Sequence, residues 1–208
     1  MVTKAKSKLA FKPLTTKTWE DFVTLFGERG ACGGCWCMSW RLTRAEFDKK
    51  KGEGNKRAMK KLVGTGEQIG IIAYMDKKPI GWCAVAPREK YIKLENARVL
   101  KRIDDEPVCS ITCFFLTKDF RRKGLSVEIL KGVIDYCRKK KVKILEAYPI
   151  LPYSNNMPAA FAWTGFLASF EKAGFTVVPQ TVLSDARSAE RMSAERWSKA
   201  RPIMRYYL

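Results

Sequence analysis

Histidine is absent from all 208 residues, which removes the side chain that most often moves protons near neutral pH. Any proton-handling site here must therefore use carboxylates, tyrosines or cysteines, and a cysteine nucleophile would lack the imidazole that usually activates it. Long apolar runs are missing too: none approaches the roughly 20 residues needed to span a bilayer. The opening segment, residues 1–8, is Met-Val-Thr-Lys-Ala-Lys-Ser-Lys and lacks the apolar core of a secretory signal. The cytoplasm is the expected compartment, and no membrane partner is expected. Acidic residues are scarce as well, with 21 Asp plus Glu against 40 Lys plus Arg, a formal charge of +19. Such a surface attracts polyanions, either a nucleic acid or a phosphate-bearing cofactor. The basic runs Lys49–Lys51, Lys60–Lys61 and Lys139–Lys141 carry no interleaved aromatics, and no recognisable nucleic-acid module is present. That leaves non-specific contact as the expected relation to nucleic acid, most of the charge forming a solvated face.

The chain contains enough apolar material for a core, 46% hydrophobic against 29% charged residues, so it reads as one folded domain over residues 1–208. Neither an internal repeat nor a low-complexity linker divides it. Seven cysteines, an odd number with no export signal, point to reduced thiols. Cys83, Cys109, Cys113 and Cys137 fall in apolar segments and are expected in the core.

Read along its length, the sequence predicts a strand near Lys8–Leu14 and a helix at Trp19–Phe26 with Thr18 as its cap. Two helical pieces around a turn follow between Arg44 and Val63. The apolar runs Gly66–Met75 and Pro79–Ala86 read as a hairpin, and the polar segment Pro87–Pro107 as a loop. Val108–Leu116 and Val142–Ile150 read as strands, Phe161–Ala173 as a helix, Ser184–Lys199 as an inserted charged helix, and Arg201–Leu208 as the last strand.

The most informative stretch runs from Val108 to Ser126: an apolar strand, a basic glycine turn, then a helix whose apolar Leu125, Ile129, Val133, Ile134 and Cys137 recur at helical spacing. Unpaired N–H groups at the start of a helix lie at the positive end of its dipole and bind phosphate. Gly124 lets a backbone approach closely, and Lys118, Arg121, Arg122 and Lys123 add charge. The turn Arg121-Arg-Lys-Gly124-Leu-Ser126 resembles the Gln/Arg-x-x-Gly-x-Gly/Ala hallmark of the GNAT superfamily of acyl-CoA-dependent N-acyltransferases, with serine in the last small position. A helix running into Gly174-Phe175 is similar to a second landmark of that family. The resemblance covers Ile69 to Val178, and the segment Cys35-Trp-Cys-Met-Ser-Trp-Arg41 with the terminal Arg201-Pro-Ile-Met-Arg205 resembles an undercharacterised bacterial branch.

The resemblance implies an α/β fold of the α+β type, a single GNAT-like domain whose mixed, mostly antiparallel central sheet is flanked by helices. It implies acetyl-CoA as co-substrate, with backbone groups of Phe114, Phe115 and Leu116 pairing with the pantetheine arm and Arg121, Arg122, Lys123, Gly124, Leu125 and Ser126 holding the pyrophosphate. The acetyl group would pass to a primary amine, on a small molecule or a peptide, by direct attack. A catalytically weak basic module that binds nucleic acid or protein on the same fold is the alternative. The family's usual acid, a tyrosine four residues before the landmark glycine, is replaced by Phe170, and Trp163 stands where an asparagine is common. Glu146 and Tyr148, alternate residues on one face of a strand beside the expected thioester slot, are then the catalytic candidates. Glu146 paired to a nearby Lys or Arg is the competing reading.

Cys32, Cys35 and Cys37 lie close together, yet a tetrahedral zinc site needs a fourth ligand that neither histidine nor a second cysteine pair supplies, so no metal is expected. Reversible disulfide chemistry at Cys32 and Cys35 is a second reading of the segment. In a third, Trp36, Cys37 and Trp40 form a wall of the acceptor site, against two tryptophans that simply pack the loop onto the sheet. A polycationic acceptor would be repelled unless acidic residues such as Asp104, Asp105 and Glu106 line its approach. Oligomeric state is left open.

Overall fold

Seven strands form one sheet in the computed structural model, which describes residues 9–151, 162–178 and 201–208. The expected charged helix at 184–199 lies outside the described residues. β1 (Leu9–Pro13), β2 (Gly70–Met75), β3 (Lys78–Pro87) and β4 (Cys109–Leu116) pair antiparallel. β5 (Ile144–Ala147) runs parallel to β4, and β7 (Met204–Tyr207) lies antiparallel between β5 and β6 (Thr176–Val177). The β2–β3 hairpin closes through Asp76 and Lys77, both left-handed at φ 48° and 70°, the backbone that a two-residue turn needs to match strand twist.

A parallel neighbour requires a crossover, and α5 (Leu125–Lys139) supplies it. Its buried Ile129, Leu130, Val133, Ile134 and Cys137 form an apolar stripe on one face of the sheet, each large apolar side chain contributing about 1.5–3 kcal/mol. Arg138 and Lys139 end the helix where its dipole favours cations. On the opposite face α1 (Trp19–Phe26), α2 (Arg44–Lys49) and α3 (Glu53–Gly64) cover Ile72, Tyr74, Trp82 and Ala84. At α1, Thr18 does not cap by its side chain: its hydroxyl accepts from the Thr15 N–H at 2.9 Å and donates to the Pro13 carbonyl at 2.8 Å.

The sheet is irregular where it matters. Ala84 faces Cys113 while the next residue, Val85, faces Ile111, so Thr112 is an extra residue in β4. Beyond this bulge the alternation flips: Ile111 packs under α5 and Cys113 under α1.

Two expected elements differ. The polar segment after Pro87 is a built arm, with a tight turn at Arg88–Lys90 and a short helix, α4 (Ile92–Glu95), because it wraps a buried arginine. The helix expected over Phe161–Ala173 is reduced to α6 (Leu167–Lys172). Trp163 and Gly165 instead give their carbonyls to the amides of Phe114, at 2.6 Å, and Ile150, at 2.9 Å. Pairing across the sheet takes the backbone groups a helix would have used.

Candidate active site

The β4–β5 ladder stops at Ile111 and Ala147, although β4 continues to Leu116. The two strands part at their C-terminal ends and leave a wedge. Thr117 N–H donates to the Ile80 carbonyl at 2.9 Å, so by alternation the Phe115 amide also points to β3, and those of Phe114 and Leu116 point into the wedge. Of the three residues expected to pair with a pantetheine arm, two therefore aim their amides into the gap and Phe115 aims its amide away. The Phe114 amide is paired with the Trp163 carbonyl.

At the end of β4 the basic turn enters α5. Arg122 and Gly124 are left-handed, at φ 60° and 74°, and a Cβ placed on Gly124 would meet nothing within 4 Å, so the turn is open to a ligand. Arg121 Nε donates to the Leu116 carbonyl at 2.7 Å and ties the turn to the strand. Arg122, Lys123 and Gly124 are exposed, while Arg121, Leu125 and Ser126 are half-buried. The fifteen-residue helix behind them gives its N-terminal amides a dipole that favours anions. A diphosphate fits this arrangement.

Glu146 and Tyr148 share a face, as expected, but both are sealed from solvent at 1% and 0% exposure. The Glu146 carboxylate accepts from Arg88 Nη1 at 2.9 Å, Arg205 Nε at 3.0 Å and the Tyr148 hydroxyl at 2.6 Å. Pairing with arginine is thus the arrangement found, and no oxygen of Glu146 faces an open site. Burial and the Glu146 charge push the Tyr148 phenol well above its ordinary range, so it keeps its proton. Phe170, at the position where the family's tyrosine is expected, is fully buried, 5.2 Å edge-on to Phe175.

Arg88 is the residue sequence reading missed. It is 1% exposed and spends all five donors: on Glu95, Glu146, Tyr148 and the carbonyls of Leu94 and Leu100. Those two carbonyls fix the arm of residues 94–100 against the sheet. No pattern of neighbours marks Arg88 in a polar segment; only the fold brings its partners together. Asp104, one of the acidic residues that could have eased the approach of a polycationic acceptor, is held bidentate by Arg205 at 2.5 and 2.9 Å.

The cysteine and tryptophan segment divides. Trp36 and Cys37 have left-handed backbone, φ 43° and 60°, which turns both inward. The Trp36 ring stacks on Phe26 at 5.8 Å, and Cys37 Sγ accepts from Trp82 Nε1 at 3.1 Å. Neither presents a surface to a ligand. Cys32 is exposed, Cys35 half-buried and Cys37 buried. Trp40 does reach a cleft of about 400 Å³, lined with it by Ser39, Lys93, Arg98, Trp163 and Arg201. Its ring lies 5.5 Å from that of Trp163 and 6.4 Å from Tyr148. Lys93, Arg98 and Arg201 were not anticipated, since three separated segments bring them together. Trp163 faces two ways, its carbonyl to the wedge and its ring to the cleft.

Solved structures share this architecture. An uncharacterized protein from Bacillus halodurans is 13% identical, with 97% of this chain and 84% of that one covered and a TM-score of 0.53. The aminoglycoside acetyltransferase AAC(6')-Ib, solved with coenzyme A and kanamycin, is 15% identical with 96% and 95% covered, TM-score 0.51. A GNAT-family acetyltransferase from Streptococcus pneumoniae is 12% identical with 97% and 99% covered, TM-score 0.50. At these identities the likeness speaks for the fold alone. No curated protein matches the sequence. The model of the acetyltransferase (GNAT) family matches residues 36–166. That match takes in more than half of the chain, the parted strands and the basic turn alike, and the protein belongs to the GNAT acetyltransferase family.

Proposed function

We propose that this chain transfers the acetyl group of acetyl-CoA to a primary amine by direct attack. The observation that carries the reading is the coincidence, at one end of β4, of a wedge between parting strands and an open, basic helix N-terminus. The turn Arg121–Ser126 would hold the diphosphate. The wedge-facing amides of Phe114 and Leu116 would bind the pantetheine arm, the donor displacing the Trp163 carbonyl from Phe114.

The acceptor first gives its ammonium proton to water, since only the free amine carries a lone pair. The amine lone pair attacks the thioester carbon, the C–N bond forms as the C–S bond breaks, and the proton lost by nitrogen balances the one gained by sulfur. A thiol ionises near pH 8.5, so the sulfur departs without a strong acid beside it, consistent with Phe170 at the usual acid's position. Covalent transfer through cysteine is disfavoured. Burial pushes the Cys109 thiol up to about 11, and the hydrogen bond with Cys37, with burial, pushes Cys113 well above the usual thiol range, leaving both protonated and unreactive. Glu146 and Tyr148 act as positioning residues that hold the end of β5 beside the wedge.

Calorimetric titration with acetyl-CoA tests the reading. Saturable binding is expected for the native chain and its loss for Gly124→Asp, where a carboxylate would meet the diphosphate, and for Arg121→Glu with Arg122→Glu. A native chain that ignores acetyl-CoA yet binds oligonucleotides with steep salt dependence would be a basic binding module instead.

A further inference from the structure

The cleft beside the wedge has an unusual balance of charge. Its described lining contains three cations, Lys93, Arg98 and Arg201, two indoles and no carboxylate. Buried arginines elsewhere in this molecule have acidic partners: Arg88 has Glu95 and Glu146, and Arg205 has Asp104 and Glu146. Arg201 differs. Among the described residues its guanidinium donates to a neutral hydroxyl, Thr164 Oγ1, at 2.9 Å, and lies 5.2 Å over the Trp163 ring. Lys93 Nζ is likewise 3.5 Å from the Ser39 hydroxyl and 5.2 Å over the Phe47 ring. Burial pushes both cations below their ordinary ranges; for Arg201 it is the sole cause, while for Lys93 the charge of Asp48 partly offsets it and that of Arg44 adds to it. The indole N–H of Trp40, buried in the same wall, has no hydrogen-bond partner among the described residues. The charged groups lining this space are all cations, and the free indole N–H beside them is a donor, so the complementary ligand is rich in acceptors and negative.

Resting on the transferase reading, we infer that the acceptor is an amine that also bears an oxyanion group, a carboxylate or a phosphate, which the Lys93, Arg98 and Arg201 cluster binds while the Trp40 and Trp163 rings pack its body. The amine then lies on the Trp163 side, where the cleft meets the wedge and the thioester. Free polycationic amines are excluded by repulsion, the carboxylates that would welcome them being engaged elsewhere, as Asp104 is with Arg205.

Matched acceptors distinguish the possibilities: tryptophan against tryptophanamide, phosphoethanolamine against ethanolamine, with spermidine as the polycation. Each is titrated at millimolar concentration into the native chain with coenzyme A, binding followed by calorimetry, and is assayed for thiol release with acetyl-CoA. At least one anionic member of a pair is expected to bind and be acetylated in preference to its neutral twin, and the preferred member identifies the oxyanion. Arg201→Gln and Lys93→Gln should each weaken that ligand roughly ten- to a hundredfold, the loss of one charge-assisted hydrogen bond, with affinity for acetyl-CoA and for the neutral twin unchanged. Equal or better use of neutral or polycationic amines, or no saturable binding of any anionic amine, overturns the inference. So does a loss of acetyl-CoA affinity in the Gln variants, which would assign the cations to the donor. A native chain that fails to bind acetyl-CoA in the calorimeter overturns the transferase reading itself.

Discussion

Glu146 illustrates what a single residue can be asked to do. A carboxylate on an apolar strand beside a thioester slot suggested proton transfer, but two guanidinium groups and a phenol meet it at 2.6–3.0 Å. Its role is to neutralise and align Arg88 and Arg205, both almost fully buried. Glu146→Gln leaves two buried cations short of a counter-charge, which costs about 3–5 kcal/mol. In a chain of this size the thermal midpoint should fall by roughly 6–20 °C at the corresponding 2–4 °C per kcal/mol. Calorimetry of the two proteins checks this; an unchanged midpoint with slow turnover would return Glu146 to the chemistry. The pair Glu146/Arg88 was half legible, because alternation placed Glu146 and Tyr148 together while nothing local marked Arg88.

Among the elements, α5 links stability to the proposed function: its apolar stripe anchors the sheet, and its N-terminus is where the diphosphate is proposed to bind. The helix lies close to the sheet edge only because Gly132 has no side chain: a Cβ there would stand 2.6 Å from the ring atoms of Phe11 on β1. Gly132→Ala should gain helix propensity yet lose overall, by about 1–3 kcal/mol of overpacking. Urea unfolding would detect this as a lower midpoint at unchanged slope, and a stabilised variant would mean that Phe11 moves aside freely. The hairpin, the turn and α5 were readable because each depends on local chemistry: left-handed residues at a turn, periodic apolar residues, a glycine before a helix. The segment after Phe161 was misread as helix because its backbone bonds go to Phe114 and Ile150, distant partners that periodicity does not report.

For the whole molecule, charge is unevenly distributed between a basic exterior and a paired interior. Acid should expose this. Hydrogen bonds from Arg205 hold the Asp104 carboxyl below its usual range. Its folded value lies under its unfolded value, so the folded state binds fewer protons and the contribution is complete above about pH 4. It is lost as pH falls through the depressed value. Asp104 is 40% exposed, which keeps the effect modest. Urea midpoints measured from neutral pH down to pH 3 should fall less steeply in Asp104→Asn than in the native chain, the native protein being the more stable near neutrality; parallel curves would refute the pairing. No described helix is long and apolar enough to cross a membrane, in keeping with the composition.

Local chemistry alone determined the β2–β3 hairpin, the strand β4 and the basic glycine turn ahead of the longest described helix, since propensity, periodicity and backbone freedom are properties of neighbours in sequence; the mixed sheet was implied by the family resemblance. Tertiary structure alone decided which charged residues line the cleft and which face one another. Trp36 and Trp40, four residues apart, end in the core and in the cleft because the backbone is left-handed at Trp36 and Cys37. Lys93, Arg98 and Arg201 become one cluster because Arg88 pins the arm that carries the first two beside the segment that carries the third. Electrostatic energy depends on distance in space, and sequence separation says little about it until the chain has folded.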